Sequence, residues 1–147
     1  MNITIIRGLP GSGKSTLGRR ISAESGAVLL EQDMFRIRNG EYVFKSEDKV
    51  KEAFLGTIRQ FAQFDADIVI TGVFATSKSI DEVLKSCRRP NKVVRVIHCA
   101  NDFGTTHEVP EEVIRSMRDS WEDWGIETPN GFTSLEKIYF QRTKHKE

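Results

Sequence analysis

Long apolar runs are missing from this sequence. So are cysteine clusters, repeats, low-complexity tracts and any surplus of charge of one sign. No stretch is apolar over the roughly twenty residues that a helical membrane span needs, so no membrane partner is expected. The only two cysteines, Cys87 and Cys99, show no metal-ligand spacing. One falls in a helical pattern and the other ends a strand, as buried thiols in a reducing cytoplasm do. Lysine and arginine number 22 against 21 acids, for a net charge of +1. That balance gives no broad positive field for duplex DNA and leaves room only for a local basic groove. The chain enters a strand directly after its start, so no secretion signal is expected and the expected compartment is the cytoplasm. Its 147 residues suit one domain, 1–147, with a real core.

What is present centres on Gly8-Leu9-Pro10-Gly11-Ser12-Gly13-Lys14-Ser15-Thr16. This fits G-x-x-x-x-G-K-[ST], the phosphate-binding loop, in full. Ile3-Thr4-Ile5-Ile6 before it reads as a buried strand. Ser15 to Ser25 after it reads as a helix, with Leu17 and Ile21 four apart. A strand turning through glycines into a helix N-terminus gathers backbone N–H groups and positive dipole charge around one point, where an anion is stabilised. Gly8, Gly11, Ser12, Gly13, Lys14, Ser15 and Thr16 are therefore the expected nucleotide-binding residues. Lys14 would reach the β- and γ-phosphates of ATP, and the Ser15 hydroxyl would bind Mg²⁺.

Along the chain, strands and helices alternate. Gly26 stops the first helix, and Ala27-Val28-Leu29-Leu30 reads as a second strand. Met34 to Arg38 suits a short helical turn, broken at Asn39-Gly40. Ser46 reads as an N-cap, with Glu47 and Asp48 in the first turn. Val50, Phe54, Ile58 and Phe61 then mark a helix to about Gln63. Asp67 to Thr71 reads as the third strand. Ser79-Ile80-Asp81-Glu82 has capping-box spacing and opens a helix to about Arg88. Lys92 to Cys99 is the fourth strand. A lid is expected around 100–118, with a helix opening at Pro110 and an apolar stripe of Val113, Ile114, Met117, Trp121 and Trp124. Glu136 to Arg142 fits either a fifth strand or a short helix. This alternation implies a P-loop kinase-like α/β fold. Its three layers would be a mostly parallel sheet of four to five strands with helices on both faces.

Asp33 and Arg36 follow the second strand, three residues apart, and would share one face of a helical turn. If that strand neighbours the phosphate loop in space, Asp33 would lie near the γ-phosphate. There it could accept the proton of an attacking hydroxyl or help hold Mg²⁺ through water. Arg36 could grip an acceptor phosphate with its planar fork. His107, Trp121 and Trp124, and the cluster Arg88-Arg89-Lys92-Arg95, read more simply as solvated or core residues.

The phosphate loop, Gln32-Asp33-Met34-Phe35-Arg36, and Val109-Pro110-Glu111-Glu112-Val113-Ile114-Arg115-Ser116-Met117 together resemble the 5′-hydroxyl kinase domain of phage polynucleotide kinase. The three segments occur in that family's order. The resemblance implies ATP-dependent phosphorylation of a polynucleotide 5′-hydroxyl, on a single-stranded or end-exposed nucleic acid. It implies Asp33 as general base, Arg36 as the substrate-contacting arginine, and Lys14, Ser15 and Thr16 on the nucleotide.

Two departures accompany it. The family ends its third strand with an aspartate, where this chain has Gly72; Ser15 and Asp33 are then the expected Mg²⁺ residues. The family's lid carries an arginine, where this chain has Gly104; Arg115 or Arg118 would stand in. Two alternatives stay open: a kinase for a nucleotide, nucleoside or sugar nucleotide, and a nucleotide-binding regulator with weak transfer.

Overall fold

Apolar residues alternate between two sides along each central strand, and each side is covered by its own helices. The computed structural model describes residues 1–38, 41–42, 46–87, 92–99, 110–122 and 133–138. In chain order the elements are β1 (Asn2–Arg7), α1 (Lys14–Ser25), β2 (Val28–Glu31), a 3-10 turn (Gln32–Arg36), β3 (Ile37–Arg38) and β4 (Glu41–Tyr42). There follow α2 (Glu47–Gln63), β5 (Ile68–Gly72), α3 (Ser77–Ser86), β6 (Val93–Cys99), α4 (Glu111–Asp119) and β7 (Thr133–Ile138). Five strands form one sheet in the order β2-β5-β1-β6-β7, and every pairing is parallel. β3 and β4 form a separate antiparallel pair.

Ile3 and Ile5 of β1, Ile68 and Ile70 of β5, and Val94 and Val96 of β6 face one side. There they meet Phe54 and Ile58 of α2 and Ile80 and Val83 of α3. Ile6, Val69, Ile97 and Cys99 face the other side and meet Leu17 of α1. The strand period of two thus sends neighbouring residues into separate cores. Phe54 and Ile58 are fully buried, and each such side chain stabilises by about 1.5–3 kcal/mol. The expected layering, a parallel sheet with helices on both faces, is what these cores show.

Local signals account for most boundaries. Gly26 takes the left-handed conformation and closes α1 through its N–H on Ser22 O at 2.8 Å. Ser46 caps α2, with its Oγ accepting from Lys49 N.

Four expectations need correction. The helix read from Ser79 begins two residues earlier, because Thr76 is the cap and its Oγ accepts from Ser79 N at 3.2 Å. The turn expected from Met34 starts at Gln32 and is over by Arg36. Of the two readings of the last segment the strand holds, but β7 starts at Thr133 rather than Glu136 because it pairs with β6 from Val94↔Thr133 onward, and 139–142 lie outside the described residues. Trp121 lies beyond the end of α4, so it is not part of that helix's stripe. Trp124, Asn39-Gly40, Arg88, Arg89, Gly104, His107 and the 100–109 part of the expected lid lie outside the described residues.

Candidate active site

All five strands run the same way, so β1, β2, β5 and β6 present their carboxyl ends along one edge, where open α/β sheets bind ligands. The phosphate loop leaves β1 at that edge. Gly11 and Gly13 have φ of 83° and 92°, which side chains with a Cβ rarely adopt. Gly13 is the N-cap of α1 and makes no side-chain cap, as suits a helix start that receives an anion. A Cβ on Gly8 would strike the Ser12 hydroxyl and sit 2.9 Å from the carbonyl of Cys99. The loop is therefore folded tightly against the ends of β1 and β6.

Two side chains in this loop are incomplete without a ligand. Ser12 is 2% exposed, and its Oγ has no hydrogen-bond partner among the described residues. Lys14 curls back so that Nζ donates to Leu9 O, at a long 3.4 Å. Burial pushes the Lys14 ammonium below its ordinary value of 10.5, and Asp33, Cys99 and Glu31 offset part of that shift. A desolvated cation, an orphaned hydroxyl and a helix N-terminus without a side-chain cap, around one loop, suit a bound phosphate chain.

β2 is not the direct neighbour of β1. β5 pairs with both β1 and β2 and separates them. Asp33 nevertheless comes within electrostatic reach of Lys14, where it is the strongest of the groups favouring the charged amine. β2 ends at Glu31, and the 3-10 turn carries Asp33 onward along the sheet edge. Glu31 stays on the strand, paired in register with Thr71, and accepts a long 3.5 Å contact from Thr71 Oγ1.

Gly72 explains how these elements fit together. A Cβ there would lie 2.7 Å from Gln32 Oε1 and 2.8 Å from two ring atoms of Phe74. The space that a side chain at the end of β5 would take is filled by Gln32 and Phe74. Sequence reasoning noticed Gly72 as a departure and missed Gln32 as its counterpart.

Arg36 makes three charged hydrogen bonds. Its Nη1 donates to Asp33 Oδ1 at 2.5 Å. Its Nε and Nη2 donate to the two carboxylate oxygens of Glu47 at 3.0 and 2.6 Å. This bidentate fork, led by the Glu47 hydrogen bond, raises the Arg36 pKa and lowers that of Glu47. Glu47 was read only as a first-turn helix acid. No local pattern links it to Arg36, eleven residues away.

The other omission is Arg7, which precedes the phosphate loop and is 1% exposed. It donates to the carbonyls of Phe74, Ala75 and Glu122, and its guanidinium lies 4.1 Å from the centroid of the Trp121 ring. Trp121 also stacks on His98 at 4.7 Å. Glu122 caps α3 through Ser77 N at 2.7 Å. The segment after α4 is thus tied to β1 and to the β5–α3 connection. A lone arginine ending an apolar strand was the available signal. Arg115 and Arg118 are both exposed on α4.

Comparison with known proteins agrees with this architecture. An uncharacterized protein of Pasteurella multocida (strain Pm70) is 29% identical over 131 residues, covering 78% of this chain and 73% of that one. The fold matches Chaetomium thermophilum Kti12 in complex with ADP-AlF3 at a TM-score of 0.67 and 13% identity, covering 94% and 89% of the two chains. It matches a gluconokinase from Sinorhizobium meliloti at a TM-score of 0.62 and 15% identity, covering 97% and 86%. These two show a P-loop kinase-like fold. Among the described residues no helix is long and apolar enough to cross a membrane. Residues 3–116 match the family model described as an AAA domain, and the chain belongs to that family.

Proposed function

We propose that this chain is an ATP-dependent kinase that transfers the γ-phosphate to a hydroxyl, and that the acceptor is the 5′-hydroxyl end of a polynucleotide. The observation that carries the transfer reading is the desolvated Lys14 and orphaned Ser12 hydroxyl of the phosphate loop, with Asp33 within electrostatic reach of Lys14. The Kti12 neighbour, in complex with ADP-AlF3, supports a nucleotide in that loop. The choice of acceptor rests on the Gln32–Arg36 and Val109–Met117 segments and their resemblance to polynucleotide kinase.

Backbone N–H groups of Gly11, Gly13, Lys14 and Ser15 would hold the phosphates, with Ser12 Oγ completing its hydrogen bonding there. Lys14 would neutralise the β/γ region. Its charge is costly in the free protein and is stabilised by a phosphate. Arg115 and Arg118 would add charge from α4. Among the described residues no group of three or more His, Cys, Asp or Glu side chains converges on a metal position. Mg²⁺ fits such a site, because it takes one or two protein ligands and completes its shell with phosphate and water. Ser15 and Asp33 would hold it, and it would supply charge neutralisation at the phosphates.

Asp33, half exposed at the edge, would take the proton from the attacking hydroxyl. Arg36 would bind the phosphate that follows the acceptor sugar. Phosphoryl transfer needs mainly position and charge, which this edge provides.

The test is transfer from labelled ATP to a 5′-hydroxyl oligonucleotide, a nucleoside and a set of small hydroxyl compounds. Label on the oligonucleotide is expected. Label on a small compound alone assigns the second reading, a small-molecule kinase, which the gluconokinase fold neighbour favours. Nucleotide binding without transfer to any acceptor assigns a regulator.

A further inference from the structure

Arg36 already holds an anion in the place where its proposed role needs one. Its fork meets both oxygens of Glu47, at 3.0 and 2.6 Å, in the geometry that a phosphate would use. The Arg36 side chain is 17% exposed, whereas Glu47 is 63% exposed and Asp33 47%. The arginine is therefore fixed and shielded, and Glu47 covers it from the solvent side. Glu47 is also the first residue of α2, behind the Ser46 cap. A carboxylate released there stays favourably placed, because the helix N-terminus stabilises negative charge.

We propose that Glu47 is a specificity-determining residue that occupies the Arg36 fork in the free protein and is exchanged for the acceptor's phosphate. The inference rests on the reading of Arg36 as the acceptor-phosphate contact. Acceptor binding then swaps one anion for another on a guanidinium that stays put. An uncharged acceptor cannot displace Glu47 and gains nothing from Arg36. The exchange also leaves Nη1 on Asp33, so the carboxylate proposed as base keeps its orientation while the acceptor docks. Glu47 thus sets a threshold: a ligand must bring an anion at the right distance from its hydroxyl to open the site.

The experiment is calorimetric titration of a nucleoside 3′-monophosphate, and of the same nucleoside without phosphate, into the full chain. The parent, Glu47→Gln, Glu47→Asp and Arg36→Ala are compared, each saturated with a non-hydrolysable ATP analogue. Glutamine keeps the shape of Glu47 and removes its charge. It should bind the 3′-monophosphate about two- to fivefold more tightly than the parent, a range expected for release of an exposed ion pair. The shorter Glu47→Asp cannot span both N–H groups and should fall between them. Nucleoside binding should be the same in all four proteins. In transfer assays Glu47→Gln should act on the acceptor KM, lowering it, more than on kcat. Equal or weaker 3′-monophosphate binding in Glu47→Gln overturns the exchange and makes Glu47 a support for Arg36. If the parent and Arg36→Ala bind the 3′-monophosphate equally, the acceptor reading of Arg36 fails first, and the exchange with it.

Discussion

Arg7 grips the carbonyl of Phe74 with two donors, Nε at 3.0 Å and Nη2 at 2.8 Å, across 67 residues of sequence. Phe74 has a φ of 46°, a left-handed backbone that a bulky residue adopts only under constraint. Such strain costs on the order of 1–3 kcal/mol, and the buried guanidinium holds it in place.

Removing that guanidinium should be severe. Arg7→Met leaves the carbonyls of Phe74, Ala75 and Glu122 without their charged donor and removes the cation from Trp121. A loss of about 3 kcal/mol or more is expected, in line with breaking a buried charged network. Denaturant unfolding of both proteins measures it. A loss under about 1 kcal/mol would mean that the network is not holding the connection together.

Restoring an acid at the end of β5 should harm the protein. In Gly72→Asp the new Cβ meets Gln32 Oε1 and the Phe74 ring, and the carboxylate enters a buried position. Lower stability and lower transfer are expected. Gln32→Ala in that background should recover part of the stability, since Gln32 can yield and the Phe74 ring cannot. Thermal unfolding of the parent, single and double variants checks this. An acid accepted without loss would show that the end of β5 has room for one.

Asp33→Asn removes the charge and keeps most of the shape. Transfer should fall at least about a hundredfold, within the usual range for a positioned base. ATP affinity should change little. Lys14→Ala should instead weaken transfer with little effect on the fold. Activity of Asp33→Asn near that of the parent would remove its role as base.

Nucleotide binding should take up protons at alkaline pH. Burial lowers the Lys14 pKa from 10.5 in the free protein, and bound phosphates raise it again. Between those two values the complex holds a proton that the free protein lacks, so affinity falls as pH rises through that window. The sign for folding is the opposite. A lysine whose folded pKa is depressed leaves the unfolded chain with more bound protons, so stability rises with pH below 10.5. Titrations in buffers of different ionisation enthalpy report the uptake, and Lys14→Met should abolish it.

The phosphate loop and the strand–helix alternation were legible because their signals are local: glycine positions, caps and apolar periods. The 3-10 turn could be placed roughly for the same reason. The strand order could not be read, since nothing near Val28 records that β5 inserts between β1 and β2. Arg7 was passed over because its three acceptors lie 67, 68 and 115 residues away. Trp121 was assigned to a helical stripe because its spacing from Met117 is helical, while its partners are Arg7 and His98. Glu47 looked complete as a first-turn acid, which masked its grip on Arg36.

The two cores are unequal. Among the described residues the face under α2 and α3 gathers thirteen buried residues, and the face under α1 gathers five. Within α1 only Leu17 and Gly18 are buried. The helix that follows the phosphate loop is therefore held less firmly by packing than α2, which buries Val50, Phe54, Ile58 and Ala62. Its backbone amides will exchange with solvent sooner than those of α2, through local opening that leaves the sheet intact. A bound anion, by engaging the first turn, then acts as the missing part of that helix's anchorage. Occupancy of the loop becomes readable as slowed exchange along the whole of α1, including turns that never touch the ligand.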